Sequence, residues 1–454
     1  MLVAPAIVDP TPRTPDDAPS VRALQHLAAA EGAAVAPPAI QAAVPVPVRS
    51  AVIVGGGNMG AAIAYALDGA GIAARIVETD KDAAERARAN VARLADEGVR
   101  RGRLSDEAGK EVKARVAISV GYEKLSDVDL AIEAAYESFE VKKTVFAALE
   151  AALPARAVLA SNTSYLDLNA IAASVADPGR VIGLHFFSPA HIMKLIEIVR
   201  GEASTPSSLA TGFALAKHLR KIPVLSGVCD GFIGNRILAR YREAADTLLM
   251  DGATPWEIDA AMVAFGYPMG PYEAQDLSGL DIAYANRKRQ APARDPRRRY
   301  IPISDRMVEE GRLGRKTAVG WYRYPGGARV EDPLVEDLIA EEARFAKVER
   351  RTFTADEIRD RLLAAMVNEA ADILDAGIAG SAADIDLVTV HGYGFPKGRG
   401  GLMFYADEIG ASALLERIRA YGEEDLIAWK PSPLLQRLAE GGGRFGDMKG
   451  GLAK

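Results

Sequence analysis

The chain has 454 residues, a length that suggests about three domains. Its residues are 49% hydrophobic and 26% charged, as is typical of globular proteins. Its 55 Lys and Arg residues against 61 Asp and Glu residues give a net charge of −6, which argues against binding to nucleic acid or to an anionic membrane. The single cysteine, Cys229, excludes an internal disulfide, and without a cluster of cysteines and histidines no metal site is predicted.

Residues 1–48 are rich in alanine, proline and valine and are predicted to form a tail and linker. A short helix is expected over 20–31, and the proline-rich stretch that follows is expected to be extended, because proline fixes φ and removes a donor. The N-terminus lacks the pattern of a signal peptide, and no apolar run approaches the roughly 20 residues of a membrane span. These features predict a cytoplasmic protein without a membrane span.

From residue 51 the sequence reads as strand, glycine-rich turn, helix and second strand. In such a unit the glycines provide a tight turn, a close approach to a pyrophosphate and close helix–strand packing, and the helix N-terminus attracts phosphate. We therefore predict a dinucleotide site, against the alternative of a glycine turn in an unliganded α/β domain. The predicted cofactor residues of this unit are Gly55, Gly57, Asn58, Met59, Gly60 and Glu78.

Glu78 indicates which dinucleotide binds. A carboxylate at the end of the second strand accepts hydrogen bonds from a ribose 2′-hydroxyl and repels a 2′-phosphate. The next two residues, Thr79 and Asp80, add no arginine. The sequence therefore predicts NAD in preference to NADP.

Apolar runs at 128–135, 157–164, 180–189, 194–199 and 222–228 predict further strands of a doubly wound sheet. The C-terminal half has helical periodicity and an internal repeat, because the EAAD at 243–246 recurs at 369–372. The predicted fold is an α/β Rossmann-type dinucleotide-binding domain followed by two related all-α domains. The predicted boundaries are 49–228, 229–335 and 336–454.

Two polar residues lie on the strands predicted at 180–189 and 194–199. If these strands pair in antiparallel fashion, Glu197 comes roughly opposite His185. A carboxylate there would orient the imidazole for general acid–base chemistry; the alternative is a core histidine bonded to a backbone group. Ser164 also ends a strand, and Asn235 begins a helix, where a capping role is the alternative.

Seven segments together resemble the L-3-hydroxyacyl-CoA dehydrogenase family. They cover nearly everything after residue 50, follow the family's order, and keep the separations of Ser164, His185, Glu197 and Asn235. The segments are GGGNMG (55–60), AIEAAYESFEVKK (131–143), SNTS (161–164), GLHFFSP (183–189), MKLIEIV (193–199), DGFIGNR (230–236) and GYPMGP (266–271).

The resemblance implies NAD-dependent oxidation of a (3S)-3-hydroxyacyl-CoA to a 3-ketoacyl-CoA. By the same resemblance, His185 takes the hydroxyl proton, Glu197 supports the imidazolium, and Ser164 and Asn235 hold substrate oxygens. It further implies cofactor contacts from Glu137, Lys142, Ser164, Ser188 and Lys316, and a substrate contact from Tyr405. For Tyr405 the alternative is a buried tyrosine between the repeats.

The two C-terminal units make the chain most similar to the dehydrogenase part of the multifunctional fatty-acid β-oxidation enzymes. Those enzymes carry a hydratase/isomerase domain before the dehydrogenase, and the residues before the first Rossmann strand are too few for it. We therefore expect no hydratase activity in this chain. The repeat offset places Arg361 where the first unit has Asn235, which predicts that the second unit is a packing repeat.

Two positions depart from the family pattern: Ser188 replaces a commoner asparagine, and bulky Tyr165 follows Ser164. Either change could alter the acyl preference. A basic cluster that includes Arg101 follows the predicted helix at 80–97, and arginine there could bind the 3′-phosphate of CoA. The alternative is a solvated helix end.

Two other functions remain open at this point. One is a related dehydrogenase for a specialised acyl-CoA or a free hydroxy acid. The other is a non-catalytic NAD-binding scaffold for a separate enoyl-CoA hydratase or thiolase chain. The expected partner is an acyl-CoA substrate, and such a separate chain is a second candidate. The expected oligomeric state is a monomer or a homodimer.

Overall fold

The computed structural model describes residues 20–453, so the prediction of a tail for residues 1–19 lies outside the described residues. The predicted N-terminal helix is present as α1 (Val21–Ala33), capped by the Ser20 side chain. The stretch predicted to be extended contains one helical turn, α2 (Pro38–Gln41), whose Ile40 is buried. The chain then contacts the Rossmann domain, where the Val46 amide donates to Thr211 Oγ1 at 2.9 Å. The described part of the tail is therefore packed on the protein.

An eight-stranded sheet forms the centre of the first domain, in the order β3-β2-β1-β4-β5-β6-β7-β8. All neighbouring strands are parallel except β6 and β7, which are antiparallel. The strands are β1 (Ser50–Val54), β2 (Ala73–Glu78), β3 (Ala117–Val120), β4 (Leu130–Glu133), β5 (Val158–Ser161), β6 (Val181–Phe186), β7 (Leu195–Val199) and β8 (Ile222–Ser226).

Strand β3 and the helix before it were missed by the sequence analysis. β3 lies at the edge of the sheet and none of its four residues is fully buried. An edge strand needs no continuous apolar run, so the pattern used to find the buried strands does not identify it.

Helices cover both faces of the sheet, and a separate apolar core lies on each face. Buried aliphatic residues of the strands alternate between the two cores, as expected for a parallel sheet covered on both sides. The helices of this domain are α3 (Asn58–Gly69), α4 (Lys81–Arg100), α5 (Asp106–Arg115), α6 (Phe139–Ala152), α7 (Leu168–Ala172) and α8 (Pro206–His218).

The rest of the chain is helical and shares one large core, to which α1 contributes Leu27 and Ala30. The first helices are α9 (Gly234–Asp251), α10 (Pro255–Phe265), α11 (Pro271–Ser278), α12 (Leu280–Gln290), α13 (Ile303–Glu309) and α14 (Pro333–Phe345). They are followed by α15 (Ala355–Asp375), α16 (Ala382–Tyr393), α17 (Leu402–Ile409), α18 (Ala411–Gly422) and α19 (Pro433–Gly441). Among residues 20–453, no helix has the length and apolar composition needed to cross a membrane.

The two helical units repeat the same order of helices. A long helix of 18 or 21 residues (α9 or α15) is followed by one of 11 or 12 residues (α10 or α16), an eight-residue helix (α11 or α17) and a further helix (α12 or α18). Arg361 on α15 forms a two-armed ion pair with Glu424, with N–O distances of 2.8 and 2.6 Å. Arg361, at the position that corresponds to Asn235, is thus engaged in an ion pair, and the second unit as a packing repeat stays a prediction.

Candidate active site

A nucleotide pocket of about 510 Å³ lies where β1 and β2 end and α3 begins. A Cβ atom on Gly57 would meet no atom within 4 Å, so the space above the turn is open to a ligand. A Cβ on Gly60 would lie 1.8 Å from the Gly55 carbonyl oxygen, which explains the need for glycine in the first turn of the helix. The turn therefore fits a bound dinucleotide. The pocket is lined by Gly56, Gly57, Asn58, Glu78, Thr79, Ala83, Arg86 and Asn90.

Glu78 holds the glycine-rich turn as well as lining the nucleotide pocket. Its Oε1 accepts the Gly56 amide at 2.5 Å, and Asn90 Nδ2 donates to the Gly56 carbonyl at 3.0 Å. Arg86 of α4 lines the same pocket and was missed by the sequence analysis. Its signal is its place on the helix that directly follows Glu78, eight residues later.

A buried ionic network lies beneath the end of β4. Lys142 Nζ donates to both carboxylate oxygens of Glu133 at 2.8 Å and lies 3.0 Å from Glu137 Oε2. Ser161 Oγ donates to Glu133 Oε2 at 2.7 Å. Lys142, only 1% exposed, is thus surrounded by protein carboxylates. A direct cofactor contact from Lys142 stays a prediction.

Glu137 ties the 161–164 loop to this network. Its Oε1 accepts the Ser164 amide at 2.9 Å and the Thr163 hydroxyl at 2.6 Å. Burial alone would raise the pKa of Glu137, but the Lys142 charge and the Thr163 hydrogen bond outweigh it and leave the pKa below its ordinary value. The ionised carboxylate therefore fixes the backbone that carries Ser164.

His185 and Glu197 are directly paired across the antiparallel strands β6 and β7. His185 Nδ1 lies 2.6 Å from Glu197 Oε2, and His185 Nε2 lies 3.2 Å from Ser164 Oγ. His185 is 4% exposed, and its ring lies against Phe187 and Phe232. The imidazole is therefore held on one side by a carboxylate and presents its other nitrogen to the serine.

Glu197 also anchors the helix that carries Asn235. Its second oxygen, Oε1, accepts the Gly234 amide at 3.0 Å and the Ile233 amide at 3.2 Å. Asn235, the next residue, is half-buried and accepts a hydrogen bond at Oδ1 from Tyr393 Oη at 2.9 Å. The structure thus brings Ser164, His185 and Glu197 into direct contact and attaches Asn235 to the same carboxylate. Tyr393 was missed because it lies 158 residues further along the chain.

Four other predicted site residues have different surroundings. Ser188 is exposed, just after β6 and before a cis peptide bond to Pro189. Lys316 pairs with Asp281 at 2.5 Å, Arg101 pairs with Glu97, and Tyr405 packs edge-on against Phe265. The structure does not bring these four into the cluster around His185, and their roles stay predictions.

Comparison with known protein families shows which family this chain belongs to. Residues 50–229 match the family model described as 3-hydroxyacyl-CoA dehydrogenase, NAD binding domain. Residues 231–324 and 358–451 each match the model described as 3-hydroxyacyl-CoA dehydrogenase, C-terminal domain. The chain belongs to the 3-hydroxyacyl-CoA dehydrogenase family. The predicted fold class, the predicted NAD cofactor and the prediction of an oxidoreductase are confirmed by this membership, and the double match agrees with the internal repeat.

The names of individual proteins that are similar to this chain are consistent with this family. The chain is 39% identical over 412 residues to the peroxisomal bifunctional enzyme of Homo sapiens, a match that covers 87% of this chain and 57% of the human enzyme. The 3-hydroxybutyryl-CoA dehydrogenase of Escherichia coli K12 is similar in structure, with a TM-score of 0.73 at 27% identity over 87% of this chain and 98% of that one. The dehydrogenase part of multifunctional enzyme 1 from C. elegans has a TM-score of 0.66 at 27% identity, covering 91% and 96%.

The curated relatives of this 3-hydroxyacyl-CoA dehydrogenase family member also bear on the length of the chain and on its localisation. The chain spans little more than half the length of the curated relatives that it matches. Those relatives are peroxisomal or glyoxysomal enzymes. The cytoplasmic localisation expected from the sequence is therefore wrong: the absence of a signal-peptide pattern was too weak a ground for it.

Proposed function

We propose that this chain oxidises a (3S)-3-hydroxyacyl-CoA to the 3-ketoacyl-CoA with NAD, as a step of fatty-acid β-oxidation. The observation that carries the proposal is the position of His185 between Glu197 and Ser164. A buried imidazole with one nitrogen on a carboxylate and the other beside a hydroxyl has the arrangement of a general base with its orienting group.

The tautomer of His185 follows from its partners. An ionised Glu197 accepts only, so Nδ1 carries the proton and Nε2 offers its lone pair towards Ser164. His185 Nε2 then takes the proton of the substrate's C3 hydroxyl as the C3–O bond becomes a carbonyl. Glu197 stabilises the imidazolium that forms, and the amides at the start of α9 hold that carboxylate in place.

Ser164 and Asn235 hold the substrate oxygens in this proposal. Their hydroxyl and amide donors strengthen their hydrogen bonds as negative charge develops on oxygen, which lowers the barrier more than it tightens substrate binding. Bound NAD supplies the acceptor for the hydride that leaves C3. The acyl-CoA class is supported by the names of the relatives, among them a 3-hydroxybutyryl-CoA dehydrogenase and a bifunctional enzyme.

The acyl preference and the assembly belong to the same proposal. Tyr165 is half-buried next to Ser164, with the Arg289 guanidinium 5.6 Å from its ring centre. A tyrosine here narrows the space beside the reacting group and favours particular acyl chains. A separate hydratase or thiolase chain is proposed as partner because the curated relatives are named bifunctional enzymes or multifunctional proteins. Pull-down with each candidate partner, followed by sizing of the complex, tests it and distinguishes a monomer from a homodimer.

The decisive experiment follows NADH absorbance with acetoacetyl-CoA for the wild type and His185→Gln. We expect wild-type turnover and a loss of about 10²–10⁴-fold in the variant. His218→Gln is the matched control, because His218 is exposed and its one hydrogen bond to the described residues joins Nε2 to the Ala70 carbonyl at 2.7 Å. A wild type that binds NAD but reduces neither acetoacetyl-CoA nor longer 3-ketoacyl-CoA substrates would contradict the proposal and favour the scaffold.

A further inference from the structure

We propose that Tyr393, which belongs to the second helical repeat, is a positioning residue that orients the Asn235 amide towards the substrate. The proposal rests on the proposed function, in which Asn235 contacts a substrate oxygen. It assigns the second repeat, which the sequence predicts to be a packing repeat, a part in the active site of the first.

The hydrogen bond sets the direction of the amide. Tyr393 Oη donates to Asn235 Oδ1 at 2.9 Å, so the carbonyl end of the amide faces the tyrosine. The Nδ2 end then faces away from it, and among residues 20–453 it has no hydrogen-bond acceptor. An amide with one end held and its donor end free is suited to donate to a substrate oxygen.

Two glycines allow Tyr393 to come this close. A Cβ on Gly234 would lie 3.0 Å from the Tyr393 hydroxyl oxygen, and a Cβ on Gly392 would lie 3.0 Å from Leu195 Cδ2 and 3.1 Å from Phe187 Cε1. The Tyr393 ring also packs edge-on against Phe187, at 5.7 Å between ring centres. The end of α16 is therefore fitted closely against β7 and the start of α9.

Asn235 is held from two sides by groups far apart in sequence. The Gly234 amide bonds to Glu197, which also holds His185, while the Asn235 side chain bonds to Tyr393. One carboxylate thus sets the distance between the imidazole and the asparagine backbone, and one phenol sets the rotation of the amide. Neither contact alone fixes the donor.

The helix that carries Tyr393 is itself fixed by the N-terminal helix. His26 Nε2 lies 2.7 Å from Asp386 Oδ2, and His391 Nε2 lies 2.9 Å from Glu31 Oε1. These two pairs join α1 to α16 at Asp386 and at His391, which lies two residues before Tyr393. Burial, with a smaller effect of the Glu197 charge, raises the pKa of Tyr393 well above its ordinary value. The phenol therefore keeps the proton that it donates.

The test is a double-mutant cycle between Tyr393→Phe and Asn235→Ala. We expect Tyr393→Phe to lower kcat roughly three- to tenfold with little change in KM, because the amide donor acts mainly in the transition state. In the Asn235→Ala background the same change should have less than a twofold effect. Tyr267→Phe is the matched control, since the one hydrogen bond of its hydroxyl among the described residues is to the Met366 sulfur, at 3.9 Å.

Three outcomes overturn the proposal: wild-type kcat in Tyr393→Phe, a raised KM alone, or an equal loss in both backgrounds. If Tyr393→Phe does not fold, Gly392→Ala takes its place in the cycle, because an added methyl displaces the helix end and leaves the hydroxyl present. Failure of the proposed function is distinct, since the wild type itself would then lack turnover or His185→Gln would retain it.

Discussion

Asp259 and Asp386 have the same role in the two helical repeats. Asp259 accepts the amides of Tyr272 and Glu273 at the start of α11, and Asp386 accepts those of Met403 and Phe404 at the start of α17. Each carboxylate has a third partner: Tyr322 Oη at 2.8 Å for Asp259 and His26 Nε2 at 2.7 Å for Asp386. The third hydrogen-bond partner of the carboxylate therefore comes from within the repeat for Asp259 and from the N-terminal helix α1 for Asp386.

The free energy of unfolding should depend on pH through Asp259. Burial raises the pKa of Asp259 from 3.8 to about 7, although its three hydrogen bonds oppose the shift. Between these values the folded state binds more protons than the unfolded state, so this carboxyl's contribution to stability is lost as pH rises towards 7. Asp259→Asn cannot titrate. Its deficit in stability relative to the wild type should therefore shrink as pH rises, by at most about 1.4 kcal/mol per pH unit.

Urea unfolding at several pH values from about 5 to 8 measures this slope. Asp127→Asn is the control for loss of a carboxylate, because Asp127 is exposed. A constant difference between the wild type and Asp259→Asn across this range would contradict the prediction.

Removing His26 should destabilise the helical part. Asp386 is 1% exposed, and loss of His26 leaves one of its oxygens without this donor. Leaving a buried acceptor unsatisfied costs about 1–3 kcal/mol. We expect His26→Ala to lose that amount in thermal or urea unfolding, and Gln25→Ala, exposed on the same helix, to lose much less. Equal losses in the two variants would show that the pair is not responsible.

Lys142→Met should be among the most destabilising single changes in the Rossmann domain. It leaves the fully buried Glu133 carboxylate without its cation, and breaking a buried pair in this way costs about 3–5 kcal/mol. Lys143→Met, at the exposed neighbouring position, is the matched control. Urea unfolding of both variants measures the difference. A Lys142→Met variant as stable as its control would indicate that the network is not ionised.

Glu78→Gln should increase the use of NADP. The wild-type carboxylate repels a 2′-phosphate, and Arg86 lines the same pocket and can pair with that phosphate once the carboxylate charge is removed. We expect the ratio of kcat/KM for NADP to that for NAD to rise on the order of tenfold in Glu78→Gln. The rise should disappear in the double variant with Arg86→Ala. A rise that persists without Arg86 would exclude that residue from the effect.

Arg101 allows a test of CoA binding. Its guanidinium pairs with Glu97 at the end of α4, so it is held in place but partly exposed. If it binds the 3′-phosphate of CoA, Arg101→Glu should raise KM for CoA substrates and leave KM for pantetheine analogues unchanged. Arg88→Glu, an exposed position on the same helix, is the control. Equal effects on both substrate types would assign Arg101 to the helix end alone.

Much of the first domain could be predicted because its signals are local. The glycine-rich turn, the strand before it and the acid after it all lie within 30 residues, and buried strands show as apolar runs. The pairing of His185 with Glu197 could also be predicted, since a short connection between two strands leaves little choice of register. Edge strand β3 could not be predicted, because its partial exposure removes the apolar run.

The sequence by itself determined the Rossmann-type unit, the choice of NAD, the repeat and the residues with reactive groups, because these depend on local periodicity and spacing. Only the tertiary structure decided which charges are neutralised within the protein and which face a ligand. Lys142 is enclosed by Glu133 and Glu137, and Asn235 meets Tyr393, 158 residues further along the chain. Such contacts arise when separate apolar faces pack together, and no pattern within one segment specifies the partner that packing brings.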